Sequence, residues 1–288
     1  MNNILNKNIN TNRPVQLGDG VFWVGTHHLD NLPANPYLIV DGEEAVLIDG
    51  GSRPDFSTVM RKVMQTGVAP EQISHLIYQH YDPDLCGSIP NLEQIIARPD
   101  LRIISKRENN PFIRHYSVRA TLLCIDQLGH ELVLKSGRRL RFLPTPYAHS
   151  AGSFITLDET SGILFTSDLF GSVSRPRGQS LFAEMHENCM NCRDSWPEDP
   201  NEACGKTHDI CLHTSVHLFH REVMPCTKAL RHALSVIFSV EARMIAPQHG
   251  VIFHRREDIQ AIRLILESLD DIGIDHIPSL VLQGGHHV

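Results

Sequence analysis

Four short β-rich runs in this sequence each end on a histidine or an aspartate. If those residues are to meet, the fold must point several strand ends the same way. HLIYQ leads into His80, Asp82 and Asp84, and RLRFLPTPYA leads into His149. GILFTS leads into Asp168, and RMIAPQ leads into His249. Strand ends along one sheet edge bring together residues distant in sequence, and sites in α/β proteins favour such edges.

The rest of the chain supplies material for such a fold. GVFWVGT, NPYLIVDG and EAVLIDGGS are β-rich runs ended by Gly or Asp turns. FSTVMRKVMQTG has the helical period and stops at a glycine. HLIYQH reads as a buried strand entering the polar loop YDPDLCG, and LRIIS, TLLCID, HELVLKSG, RLRFLPTP, SFITLDE and GILFTSDLFG continue as strands. Helical spacing returns from about His213 to Val240, interrupted by Pro225. RMIAPQHG is a last strand and EDIQAIRLILESLDDIG a final amphipathic helix. The stretch from Ser174 to Cys211, rich in Arg, Pro, Asn, Glu and Cys, has little periodicity and reads as an insertion. Residues 1–14 read as a polar disordered tail, 15–273 as one domain with an insertion over about 174–211, and 274–288 as a C-terminal extension. With no repeat and no linker, the expectation is an α/β domain with sheets packed inside helical layers.

Composition narrows the function. A net charge of -7 gives no basic footprint for nucleic acid. No apolar run approaches the roughly 20 residues needed to cross a bilayer, and the polar N-terminus has no signal-peptide core, so no membrane association and a cytoplasmic location are expected. Seven cysteines, an odd number without an export signal, argue against a disulfide framework. Metal binding or free thiols are the better readings of the cysteines, and 18 histidines invite the question of which could meet.

In YQHYDPDLCG, the alternate residues His80, Asp82 and Asp84 can present three ligands from one loop. Pro83 stiffens that loop, and Gly87 permits a tight exit into the next helix. Taken singly, each has a plainer role: a polar loop histidine, an N-cap at Asp168, a turn at Asp82-Pro83-Asp84. The recurrence at four strand ends favours a site.

Together these segments resemble the metallo-β-lactamase superfamily, whose loop reads H-x-[HDE]-x-D-H and whose later ligands are a His, an Asp or Cys, and a final His. The resemblance runs over about residues 15–270 and is nearest to the flavodiiron-like branch, including its stand-alone oxygen-binding di-iron proteins. YLIVDGEEAVLIDGG, TPYAHSAGS, LFTSDLFG and IAPQHG carry it. It implies a four-layer αββα sandwich. It also implies a first metal on His80, Asp82 and His149, a second on Asp84 and His249, and Asp168 as the bridge. Two positions depart from the pattern. Leu85 stands where the superfamily has a histidine and cannot bind metal, which leaves the second metal three protein ligands. Asp82 is shorter than the glutamate common in flavodiiron proteins.

Three histidines and three aspartates make an oxygen-rich set that suits two iron ions, or manganese, better than zinc, which hydrolases hold with imidazole and thiolate. The resemblance implies O2 binding as a sensor or carrier, with O2 or another diatomic as ligand and a signalling or electron-transfer protein as partner. A homodimer is compatible with it. One alternative is an O2 or NO reductase. Flavodiiron enzymes continue into an FMN-binding domain that is not seen here, so no FMN is expected in this chain and turnover would need a separate electron donor. A dinuclear zinc hydrolase of esters, thioesters or lactams is the other alternative, disfavoured by Asp82 and Leu85.

Cys189, Cys192, Cys204 and Cys211 have the spacing C-x2-C-x11-C-x6-C. They could hold a structural zinc, form a redox pair at Cys189 and Cys192, or stay reduced. Cys86 lies in the ligand loop but is not expected to bind metal. His213, His217 and His220 share a helical face at i, i+4 and i+7 and read as a polar face or as packing against the insertion, with His208 and His232 nearby. Tyr81 and Tyr147 flank ligands, where they would pack around the site or donate hydrogen bonds to a bound oxygen species. Phe170, Leu181 and Phe182 are expected to shield the metals from water.

Overall fold

A computed structural model describes residues 9–26, 32, 34–172, 181–184 and 212–276. One sheet takes up the first part of the chain. Its strands β1 (Val15–Gly18), β2 (Val21–Trp23), β3 (Tyr37–Asp41), β4 (Glu44–Ile48), β5 (Ile73–Ile77), β6 (Arg102–Ser105) and β7 (Thr121–Cys124) lie side by side in chain order. The first four form an antiparallel meander; tight turns join β1 to β2 and β3 to β4, where Asp41 pairs with Glu44 around Gly42, whose φ is 61°. From β4 to β7 the pairing is parallel, and parallel neighbours need crossovers. These are α1 (Phe56–Gln65) between β4 and β5, α2 (Pro83–Cys86) with α3 (Ile89–Ile96) between β5 and β6, and α4 (Asn110–Ile113) between β6 and β7. In α1, Val59, Met60 and Val63 repeat at helical spacing and are buried, and Gly67 follows at φ 92° to end the helix.

The second sheet has the order β12-β11-β10-β9-β8, built from β8 (Glu131–Val133), β9 (Arg139–Pro144), β10 (Phe154–Asp158), β11 (Ile163–Phe165) and β12 (Met244–Ala246). Its first four strands are antiparallel in sequence; β12 returns parallel to β11 after α5 (Leu212–Val223) and α6 (Thr227–Ile237). Pro225 falls between those two helices, where its ring and missing N–H end the first of them. The last helix is α7 (Arg256–Glu267).

Three apolar clusters define the layers. Trp23, Ile39, Val46 and Ile77 from the first sheet meet Leu140, Phe142, Phe154 and Phe165 from the second. The outer face of the first sheet packs on α1 and α3 through residues such as Leu47, Leu76, Val63 and Leu92. The second sheet's outer face packs on α5, α6 and α7 through Ile155, Leu164, Val216, Leu230 and Ile262. This is the four-layer αββα sandwich of metallo-β-lactamase-like flavodiiron cores. Covered on both faces, β4 and β10 are buried at every position, Glu44, Thr156 and Asp158 included.

Of the N-terminal stretch expected to be a tail, residues 1–8 lie outside the described residues. Beyond them, the carbonyls of Thr11 and Asn12 accept hydrogen bonds from Lys62 and Arg61. No helix among the described residues is long and apolar enough to cross a membrane.

Candidate metal centre

Four strand ends, one in the first sheet and three in the second, carry the six candidate ligands. After β5 the chain continues through Gln79 into His80. There Gln79 donates its backbone N–H (3.2 Å) and its side-chain amide (3.4 Å) to the carboxyl of Asp49, at the end of β4. Asp82 then takes the N-cap position of α2, with Pro83 at the first helical position, so the expected polar loop contains a helical turn. Asp82 does not cap that turn with its side chain; the carboxylate points to His149 instead. Gly87 has an ordinary φ of -60°, so its value is space: a Cβ there would meet the carbonyl of Pro83 at 2.5 Å.

His80 is 1% exposed, and its Nδ1 lies 2.8 Å from Ser167 Oγ. That contact leaves Nε2 facing the site, 3.9 Å from both Asp82 and Asp168. His149 Nε2 lies 2.7 Å from Asp82 and 3.9 Å from Asp168 Oδ2. His249 Nε2 lies 3.1 Å from Asp84 and 3.6 Å from Asp168 Oδ1. Asp168 therefore stands within 4 Å of all three imidazoles. Ligand atoms of His80, His149 and Asp168 fall within 4.8 Å of one another, as do those of His80, Asp82 and Asp84.

The backbone is strained here. Asp49, Tyr147, His149, Ser167 and Phe170 all have φ between 54° and 79°. Side chains other than glycine avoid that region, and each such residue costs on the order of 1–3 kcal/mol.

Electrostatics fit a cation. Burial pushes Asp82 and Asp84 up, but their bonds to His149 and His249, helped by the charge of His80, outweigh it and hold both below the usual 3.8. The bond to Asp82 lifts His149 to about 9 against its burial. In the metal-free protein, His149–Asp82 and His249–Asp84 are thus proton-sharing pairs whose proton a metal could replace. Oδ1 of Asp168 is buried and makes no hydrogen bond among the described residues. A buried carboxylate oxygen left in that state is costly, and a cation bound between the imidazoles would satisfy it. Three imidazoles and three carboxylates around that oxygen fit a dinuclear metal group.

Other candidates fall elsewhere. Leu85 and Cys86 are fully buried among the residues packed on α3, and burial pushes the Cys86 thiol well up. Tyr81 stacks on Phe112 at 4.3 Å, while Tyr147 is 60% exposed. Phe170 packs against Phe238 and Phe253, and Leu181 and Phe182 belong to the cluster between the sheets. It is Phe219, on α5, whose ring lies 5.7 Å from that of His249. His213, His217 and His220 are buried on α5. Nδ1 of His220 lies 2.7 Å from the Val216 carbonyl, and its Nε2 accepts the backbone N–H of Phe170. His232 is exposed. Cys189, Cys192, Cys204, Cys211 and His208 lie outside the described residues.

Two supporting residues went unread in the sequence. Ser167 orients His80, and Asp49 grips the residue before it; burial, with the charges of Asp168 and Asp84 added, raises Asp49 to about 8 against the bonds from Gln79. The signal for Asp49 was an acid closing the apolar run Ala45 to Ile48; for Ser167 there was only its place beside Asp168.

A family model described as ODP family beta lactamase matches residues 32–250. Putative diflavin flavoprotein A 2 of Synechocystis sp. is 29% identical over 134 residues, 46% of this chain and 23% of that protein. Coenzyme F420H(2) oxidase of Methanothermobacter marburgensis is 28% identical over 169 residues, 54% of this chain and 41% of that protein. The chain thus spans less than half the length of either relative. The solved structure of a peroxy diiron species of chemotaxis sensor ODP superposes with a TM-score of 0.70 at 24% identity, covering 91% of this chain and 97% of the other. At that identity the likeness establishes a shared fold.

Proposed function

The chain belongs to the ODP family of β-lactamase-like proteins, and from that membership we propose that it binds O2 at a carboxylate-bridged di-iron centre, as a sensor or carrier. His80, Asp82 and His149 would hold the first iron, Asp84 and His249 the second, and Asp168 both. The observation that carries this reading is the buried Asp168 carboxylate, within 4 Å of three imidazoles and with one oxygen that makes no hydrogen bond among the described residues.

The chemistry of the donors supports iron. Hard carboxylates mixed with imidazole suit iron or manganese, and three carboxylates offset much of the charge of two cations. When bound, the irons would supply the electron density on which O2 draws. The chain's own residues do the rest. Leu85 is turned into the core, so the second position keeps Asp84, His249 and Asp168 as protein donors and leaves coordination for a small molecule. The side chains of Asp82, Asp84 and His149 are 31%, 28% and 28% exposed, which gives that molecule a way in. Likeness of fold to a chemotaxis sensor over 97% of that chain supports sensing, and with it a signalling partner.

Metal analysis combined with an anaerobic-to-aerobic spectrum tests the proposal. Two irons per chain and a visible absorption band on exposure of the reduced protein to air are expected. Two zincs per chain with rapid ester hydrolysis would overturn it. Reduction of O2 or NO with a separate electron donor is a second reading, favoured by the similarity to an F420H2 oxidase. Sustained O2 or NO consumption in the presence of a reductant, rather than one stoichiometric uptake, would select it.

A further inference from the structure

The loop that carries His249 is held by a residue more than 200 positions away. Asn35, just before β3, is fully buried. Its Oδ1 accepts the indole N–H of Trp23 at 2.8 Å. An indole nitrogen only donates, so this contact settles which way the carboxamide faces. Nδ2 then donates to the carbonyls of Pro247 (3.0 Å) and Gly250 (3.1 Å), which bracket His249. Tyr37 adds a bond from its hydroxyl to the same Pro247 carbonyl at 2.7 Å. The backbone follows suit: Asn35 N–H donates to the Gln248 carbonyl at 2.7 Å, and Ala34 pairs with His249 in an antiparallel bridge.

From this arrangement we infer that Asn35 is a positioning residue for His249, with Tyr37 as its auxiliary. The inference rests on the dinuclear reading above. One planar group spans the ligand loop and fixes the separation of the carbonyls on either side of the imidazole. His249 Nε2 is thereby kept 3.1 Å from Asp84, across the position of the second metal. The side-chain bonds of Asn35 bracket His249 rather than His80, Asp82 or His149, so its influence is expected to fall mainly on the second metal.

Anaerobic Fe(II) titration of the full chain against a competing chelator tests this. Asn35→Asp keeps the shape but sets a carboxylate against two carbonyls. Tyr37→Phe removes a single bond, keeps the ring, and so preserves a folded protein to measure. For Asn35→Asp, the second equivalent is expected to weaken by about 10–100-fold, the usual effect of losing a partner behind a ligand, with the first unchanged. Tyr37→Phe should weaken the same equivalent by less. A merely structural role would lower both equivalents together. That result, or full affinity for both in both variants, overturns the inference while the dinuclear reading stands. A wild-type chain that takes up fewer than two irons overturns that reading, and the role of Asn35 with it.

Discussion

Ser167 Oγ lies 2.8 Å from Nδ1 of His80, a residue 87 positions earlier. The neighbour of the central carboxylate therefore also sets the ring of a candidate ligand from the other sheet. Ser167→Ala removes only a hydroxyl from a buried site. It is expected to leave the fold intact and to weaken uptake of the first metal by about tenfold, the lower end for such partners. Chelator competition on the purified variant measures this.

Asp168→Asn should split stability from metal binding. One of the Asp168 carboxylate oxygens makes no hydrogen bond among the described residues, while the carboxylate lies within 4 Å of three imidazoles. These effects oppose each other, so the isosteric amide should leave the metal-free protein within about 1–3 kcal/mol of wild-type stability. The same change should abolish two-metal stoichiometry, because one anionic bridge is lost to both positions. Urea denaturation of the metal-free variant and elemental analysis of the loaded one give the two halves of the test.

Metal uptake should release a proton from the His149–Asp82 pair. His149 sits at about 9 in the metal-free protein, so near neutral pH its ring is protonated, and binding through that ring should expel about one proton. Affinity for the first metal should then rise with pH over that range. The metal-free stability has the opposite sign. The raised value of His149 contributes fully below its ordinary 6.5 and is lost as pH climbs through about 9. The lowered value of Asp82 contributes above 3.8 and is lost as pH falls below it. Calorimetry in buffers of different ionisation enthalpy counts the proton.

The acid limb of the metal-free protein should be steeper than Asp82 alone would make it. Burial lowers His213, His217 and His220 to about 4, with Arg221 adding to the effect at His217 and Asp168 opposing it at His220. Their folded values lie below the ordinary 6.5, so their contribution is present above 6.5 and lost as pH falls through about 4. About three extra protons should be taken up on unfolding in that window. The urea midpoint followed from pH 7 to 4 should fall accordingly, and less steeply when His217 is replaced by Leu.

The six candidate ligands stood out because they follow apolar runs that read as strands, and in the structure His80, His149 and His249 each lie within 4 Å of Asp168, with Asp82 beside His149 and Asp84 beside His249. Leu85 was legible for the same reason in reverse: an aliphatic side chain goes to the core. What supports the ligands was not legible. Asn35 acts on carbonyls of residues 247 and 250, and nothing local to NPYLIV marks that partnership. The turn of α2 was hidden because four residues are too few to show a period. Of the two readings of His213, His217 and His220, a polar face or packing against the insertion, their burial on α5 goes against the first. Phe170 was expected to shield the metals; its ring packs against Phe238 and Phe253.

The candidate ligands are divided between the two sheets, with His80, Asp82 and Asp84 following β5 of the first and His149, Asp168 and His249 following strands of the second. During synthesis the first three leave the ribosome long before His249. A nascent chain can thus offer only a loose carboxylate-rich foothold, and firm capture waits until β12 has joined its sheet. Once loaded, the proposed centre would act as a cross-brace: prising the sheets apart would mean breaking metal–ligand bonds as well as the apolar contacts between them. Resistance to proteolysis should therefore report how completely a cell has furnished the protein with metal.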